Sequence, residues 1–290
     1  EGPGSNHRFS MVITLVRSSP EAEALHGCVK KGDLPLLQQL LQARADPDAV
    51  DNVGQVPLHR AAHRVDVAMT RALLSAKADA NATTRDSRTA LHKAAISNYT
   101  RFGDWTPELC ESRQDNIQKS VQVARLLLEA RADPNIQSGN KDTSAARHRE
   151  SPLHVAATLG RAELATLLIE SGADTGLLTQ TGLTARDNAE GRGVAEGRGA
   201  EWMPGWRSER GAAQAAEALA EAGAPFFGFK VGDAVVLKNL RSRPELNGQA
   251  GRLQTFVASK DRWQVMLQSA SVPLGVKAEN LAFADAQEHC

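Results

Sequence analysis

The stretch Gly54-Gln55-Val56-Pro57-Leu58-His59-Arg60-Ala61-Ala62, followed by Ala78-Asp79-Ala80-Asn81, decides the fold. It recurs. Leu25-His26, Leu58-His59 and Leu91-His92 are spaced by 33 residues (58 − 25 and 91 − 58), and Leu153-His154 comes 62 further on (153 − 91). An Ala-Asp pair stands 20 past the leucine at Ala45-Asp46, Ala78-Asp79 and Ala173-Asp174. A fixed period of this length marks a solenoid in which each unit buries its apolar side against the next.

Val56-Pro57-Leu58-His59, Thr89-Ala90-Leu91-His92 and Ser151-Pro152-Leu153-His154 open the units, and Leu126-Leu127-Leu128-Glu129-Ala130-Arg131-Ala132-Asp133-Pro134-Asn135 closes one. These residues resemble the ankyrin repeat. The resemblance covers residues 20–225 and implies pairs of short helices joined by finger loops. It also implies that the opening histidines bond locally and link turns. Its usual role is non-catalytic binding of another protein on the fingers and the exposed positions of the first helices, on the concave face.

The first unit has Leu25, Cys28 and Val29 facing inward, Asp33 as N-cap of a second helix and Pro35 in that helix's first turn. Leu36, Leu37, Leu40 and Leu41 recur at helical spacing and are expected to bury against the next unit. The second unit is the cleanest, with Val56 where a hydroxyl is usual and Lys77 at the left-handed position after the second helix. Arg44 and Arg131 share that position, and only Gly172 meets its ideal.

The third unit breaks off after Asn98 and resumes at Val121, a 21-residue insertion since Leu91 to Ala132 spans 41 residues instead of 20. It carries Tyr99, Phe102 and Trp105, and Thr106-Pro107-Glu108 reads as a helix start. The fourth has a longer polar and basic finger around 138–149. The fifth has Arg186 in the core-leucine slot and a Gly/Arg-rich insertion at 191–211, as a terminal capping unit would.

From Phe226 the pattern becomes alternating. Ala234–Leu237, Arg252–Val257 and Trp263–Leu267 read as strands, and Asn247-Gly248 as a tight turn. Four or five such strands make a small barrel that resembles SH3-like or KOW-type domains of protist multidomain proteins. Trp263, Val265 and Leu267 share one strand face as core, and Phe226, Phe227 and Phe229 are placed to pack the barrel on the last repeat helix. The fold class is therefore mainly α, a helix-turn-helix solenoid, with a small all-β SH3-like barrel at the C-terminus. The expected domains are 1–19, a disordered or cloning-derived segment; 20–225, the repeats; 226–286, the barrel; and 287–290, a tail.

Equal numbers of Lys/Arg and Asp/Glu, 34 each, give no global attraction to nucleic acid or anionic membrane. Residues 226–290 hold eight Lys/Arg against six Asp/Glu, too small a surplus to favour nucleic acid. Three scattered cysteines imply a reducing compartment. No apolar run approaches the roughly 20 residues needed to span a bilayer. The expected location is the cytoplasm or the nucleus, and the expected state a monomer.

No catalytic motif is present, no cofactor is implied, and His59 with His63 lacks a third ligand at metal spacing. The chain reads as a non-catalytic interaction scaffold. Its expected partner-binding residues are Lys30, Lys31, Arg60, His63, Arg64, Arg85, Arg88 and Lys93, basic positions suited to an acidic or phosphorylated protein, with Tyr99, Phe102 and Trp105 as aromatic anchors. The alternatives are the substrate-recruiting region of a larger enzyme such as a ubiquitin ligase, and an RNA-associated adaptor acting through the barrel and the Gly/Arg loop.

Overall fold

The computed structural model describes residues 20–97, 107–139, 149–191, 209–224, 227–229, 231–257, 259–269 and 272–284. The expected insertion residues Tyr99, Phe102 and Trp105 lie outside them, as do 1–19 and most of 138–149 and 191–211. Helices pair as α1 (Pro20–Lys31) with α2 (Leu34–Gln42), α3 (Pro57–His63) with α4 (Val67–Ser75), and α5 (Ala90–Ile96) with α6 (Pro107–Glu129). The array continues with α7 (Pro152–Thr158) and α8 (Ala162–Glu170), then α9 (Ala185–Ala189) and α10 (Glu209–Glu221). First helices pack on first helices and second on second, in two ranks.

Several of the short helices begin at a side-chain cap. Ser151 and Thr184 hydroxyls cap α7 and α9, and the Asp33 and Asp66 carboxylates cap α2 and α4. Each second helix then meets a left-handed residue: Arg44, Lys77 and Arg131 at φ 64°, 66° and 65°, and Gly172 at 86°. Between the ranks runs one apolar spine in which Leu25, Leu58, Leu91 and Leu153 are sealed from solvent. Alanines at 61, 62, 94, 95, 156 and 157 let the ranks approach closely.

One expectation about this array changes. Leu36 is exposed, because α2 belongs to the first described unit and only the side holding Leu37 faces a following helix. The third-repeat insertion contains the helix start expected at Pro107. Helix α6 starts at Pro107, and Val121 occupies the slot of Val67, so 14 residues (121 − 107) extend the second helix beyond its usual start. At ~1.5 Å per residue the extension projects about 21 Å.

The C-terminal part is a five-stranded antiparallel sheet, β1 (Ala234–Leu237), β2 (Ala250–Val257), β3 (Arg262–Leu267), β4 (Leu274–Val276) and β5 (Leu281–Phe283), ordered β4-β3-β2-β1-β5. Its edges, β4 and β5, do not pair with one another, so the sheet is barrel-like but open. A register shift between Leu253 and Thr255 bends β2 around its own core of Val235, Leu253, Trp263, Val265 and Leu281. Of the three phenylalanines expected to pack the barrel on the last repeat helix, Phe226 lies outside the described residues, and Phe227 and Phe229 join the sheet core. Phe229 stands edge-on to Trp263 at 6.4 Å and against Phe283 at 4.9 Å.

Candidate functional site

The opening histidines hold adjacent repeats together. In His59 the Nδ1 accepts the Val56 amide at 3.1 Å, and the Nε2–H donates forward to the Ala82 and Arg88 carbonyls at 3.0 and 3.1 Å. His92 takes the Thr89 amide and hydroxyl on Nδ1 and donates to the Glu150 carbonyl at 2.9 Å. His154 repeats the arrangement with Ser151 and the Leu183 carbonyl. Both ring nitrogens are used only if the imidazole is neutral. Burial enforces this, lowering all three to a pKa of about 4.

His26 is different. Its Nε2 bonds the Ala49 carbonyl at 2.8 Å, but α1 runs unbroken past Glu23, the slot of Val56, so no N-cap amide reaches Nδ1. That nitrogen lies 3.9 Å from the Asp51 carboxylate.

The fingers carry a second ladder. Asn81 accepts the Asp133 amide and donates to the Arg131 carbonyl, and Asn135 does the same with Asp174 and Gly172. These two ladders orient every finger relative to its neighbour.

Family comparison identifies the units. A model for ankyrin repeats in three copies matches residues 25–105, and a single-repeat ankyrin model matches residues 148–180. The chain carries ankyrin repeats. Ankyrin repeats are a protein-interaction module. Comparison with curated proteins gives no match.

On the ankyrin array the expected binding residues divide by environment. Lys30 and Lys31 are exposed at the end of α1, and His63 and Arg64 occupy the same slots on α3, 33 residues on. The Arg64 guanidinium lies over Gly32, next to Lys31. Lys93, half-buried on α5, is held below its ordinary range by burial and by Arg88, against which Asp86 works. Burial and Lys93 lower His63 in turn. Among the described residues Lys30, Lys31, Arg64 and Lys93 have no ion-pair partner.

Two other cations are engaged. Arg60 is half-buried and pairs with Asp51 at 2.6 Å, which also helps hold that carboxyl below its usual range against burial. Arg85 reaches back to the Asn52 carbonyl at 3.0 Å, over the preceding finger. In the fourth repeat the basic slots change character, with Val155 standing where Arg60 does and Leu159 where Arg64 does.

Arg161 was not singled out by sequence reasoning. It occupies the slot of the capping residues Asp33 and Asp66, seven after the repeat histidine. Its guanidinium bonds the Ser97 carbonyl and hydroxyl and the Ser120 hydroxyl, closing the gap where the insertion leaves and re-enters the array. An arginine in an aspartate slot was the readable signal.

Among the described residues no group of three His, Cys, Asp or Glu could hold a metal ion. Among the same residues no helix is long and apolar enough to cross a membrane. Cys28 is buried, donates its thiol to the Leu25 carbonyl at 3.0 Å, and is pushed up chiefly by burial, the opposite of an activated nucleophile.

Proposed function

We propose that this chain is a non-catalytic scaffold that captures an acidic or phosphorylated protein segment on the first-helix side of repeats one to three. The supporting observation is the unpaired basic strip Lys30, Lys31, Arg64 and Lys93, in which Lys31 and Arg64 share one slot and Lys93 takes the slot of Arg60 in the third repeat, while Asp51, the main acidic residue beside it, is taken by Arg60. Crowded like charges on a rigid surface attract an anionic partner and speed its encounter. The spine and ladders fix the strip in advance, so little ordering entropy opposes binding. Arg85 and Arg88 extend the strip along the finger, and Tyr99, Phe102 and Trp105 are proposed as aromatic anchors for the same partner.

The test reverses charge where no internal ion pair is lost, with Lys31→Glu combined with Arg64→Glu. Partners retained from a native extract by the wild-type protein, and released by salt, should pass the variant column. Equal retention on both columns removes the basic strip from the function. Arg60 is unsuited to this test, because reversing it also strands the Asp51 carboxylate.

A further inference from the structure

The sheet domain meets the array through two slots that elsewhere belong to the next repeat. In the first slot, each of His59, His92 and His154 donates an N–H to a carbonyl of the following unit. Repeat five has Asp187 there, fully buried. Its Oδ2 accepts the Thr184 amide and hydroxyl at 2.9 and 2.8 Å, and its Oδ1 accepts the Gly228 amide at 2.8 Å. A carboxylate accepts only, so the unit beyond must present a donor there, and Gly228 presents one.

The second slot lies five residues earlier, in the finger turn. Gly54 occupies it at φ +80°, and the Arg85 side chain of the following finger covers it so closely that a Cβ would sit 2.7 Å from Arg85 Cγ. Gly182 occupies it in repeat five, also at φ +80°. There the cover is aromatic: a Cβ would stand 2.8 Å from Trp263 Cζ2 and 3.0 Å from the Phe256 ring. Backbone therefore lies flat against the sheet domain's aromatic face. The indole Nε1–H of Trp263, one ring atom removed from Cζ2, is buried there without an acceptor among the described residues.

We propose that the Phe256/Trp263 face is a docking surface whose occupant is the repeat-five finger, residues 179–184, so that the sheet domain serves as the C-terminal cap of the array. Asp187 and Gly182 are the two residues that make the match specific. While the finger is seated, this face is closed to outside ligands, and the sheet domain and α9 open together. The inference stands apart from the basic strip and survives if that reading fails.

Amide hydrogen exchange on the full chain tests it, comparing wild type with Gly182→Ala, Asp187→His and Phe256→Ala. In the wild type, Gly228 should be protected to the same degree as the α9 amides. Gly182→Ala adds a clash at a left-handed position, and Asp187→His restores the array histidine against a donor. Each should release Gly228 while leaving α3 and α4 amides unchanged. Phe256→Ala keeps the α9 capping box intact, so it decides the question even if Asp187→His unravels that helix. It should also let the Trp263 indole N–H exchange with solvent. An unprotected Gly228 in the wild type, or protection unchanged in both Gly182→Ala and Phe256→Ala, overturns the proposal.

Discussion

The Asp48 carboxylate accepts the Asp79 amide at 3.0 and 3.1 Å, in the slot where the later fingers have Asn81 and Asn135. Those asparagines also donate to the Arg131 and Gly172 carbonyls, which a carboxylate cannot do. Burial, with Asp79 and Asp46 adding repulsion, raises the Asp48 carboxyl above its usual range. A raised folded value means that the native state holds this proton more tightly. The contribution is favourable below the ordinary carboxylate range and is lost as pH rises through the folded value. Asp48→Asn should therefore stabilise the protein by about 1 kcal/mol at neutral pH. The urea midpoint should rise with an unchanged slope, and the gain should shrink in acid. A lower midpoint at neutral pH counts against this account.

The histidine ladder sets the acid limit. His59, His92 and His154 stay neutral in the fold to about pH 4, while unfolded histidine takes its proton near 6.5. Stability is therefore full above the unfolded value and falls as pH drops from there toward 4. Each histidine contributes a slope of about 1.4 kcal/mol per pH unit across that window. Urea unfolding at a series of pH values measures it directly. A flat stability across the window contradicts the neutral ladder.

Lys77 and Arg131 hold left-handed backbone that glycine adopts without strain. Lys77→Gly should gain up to about 1 kcal/mol. Gly172→Ala should lose a similar amount, purely from the backbone, since nothing lies within 4 Å of the added Cβ. Thermal unfolding of the two variants should move in opposite directions.

Arg161→Ala should cost about 2 kcal/mol, because it leaves the Ser97 carbonyl and two hydroxyls without their charged donor. Proteolysis near residue 97 should quicken more than elsewhere. Arg161→Lys should rescue little, since one ammonium does not reproduce a planar fork spread over both serines. Wild-type stability in Arg161→Ala would mean that the insertion's root needs no clasp.

The array was legible because its signals are local and repeated. The spacing of Leu58 and Leu91 located the spine, Asp33 announced its cap by residue type, and the place of Lys77 in the repeat announced the left-handed turn. The start of α6 was legible at Pro107, but its unbroken run into the repeat's second helix was not, since polar residues before Val121 break the apolar pattern while the backbone continues as helix. The pairing of Arg60 with Asp51 links a finger to the helix that follows it, and the meeting of Gly182 with Trp263 joins residues 81 apart (263 − 182); no periodicity encodes either. Arg161 and Asp187 were visible as departures from the repeat. Their meaning needed the neighbour each one touches.

The carboxylate at position 187 also limits growth. Ankyrin histidines offer hydrogen toward the following unit, whereas Asp187 offers only lone pairs. A further copy of the repeat appended behind it would set oxygen against oxygen. A repeat duplicated behind repeat five would therefore have to turn a donor toward it, where the His59, His92 and His154 junctions each present a carbonyl acceptor.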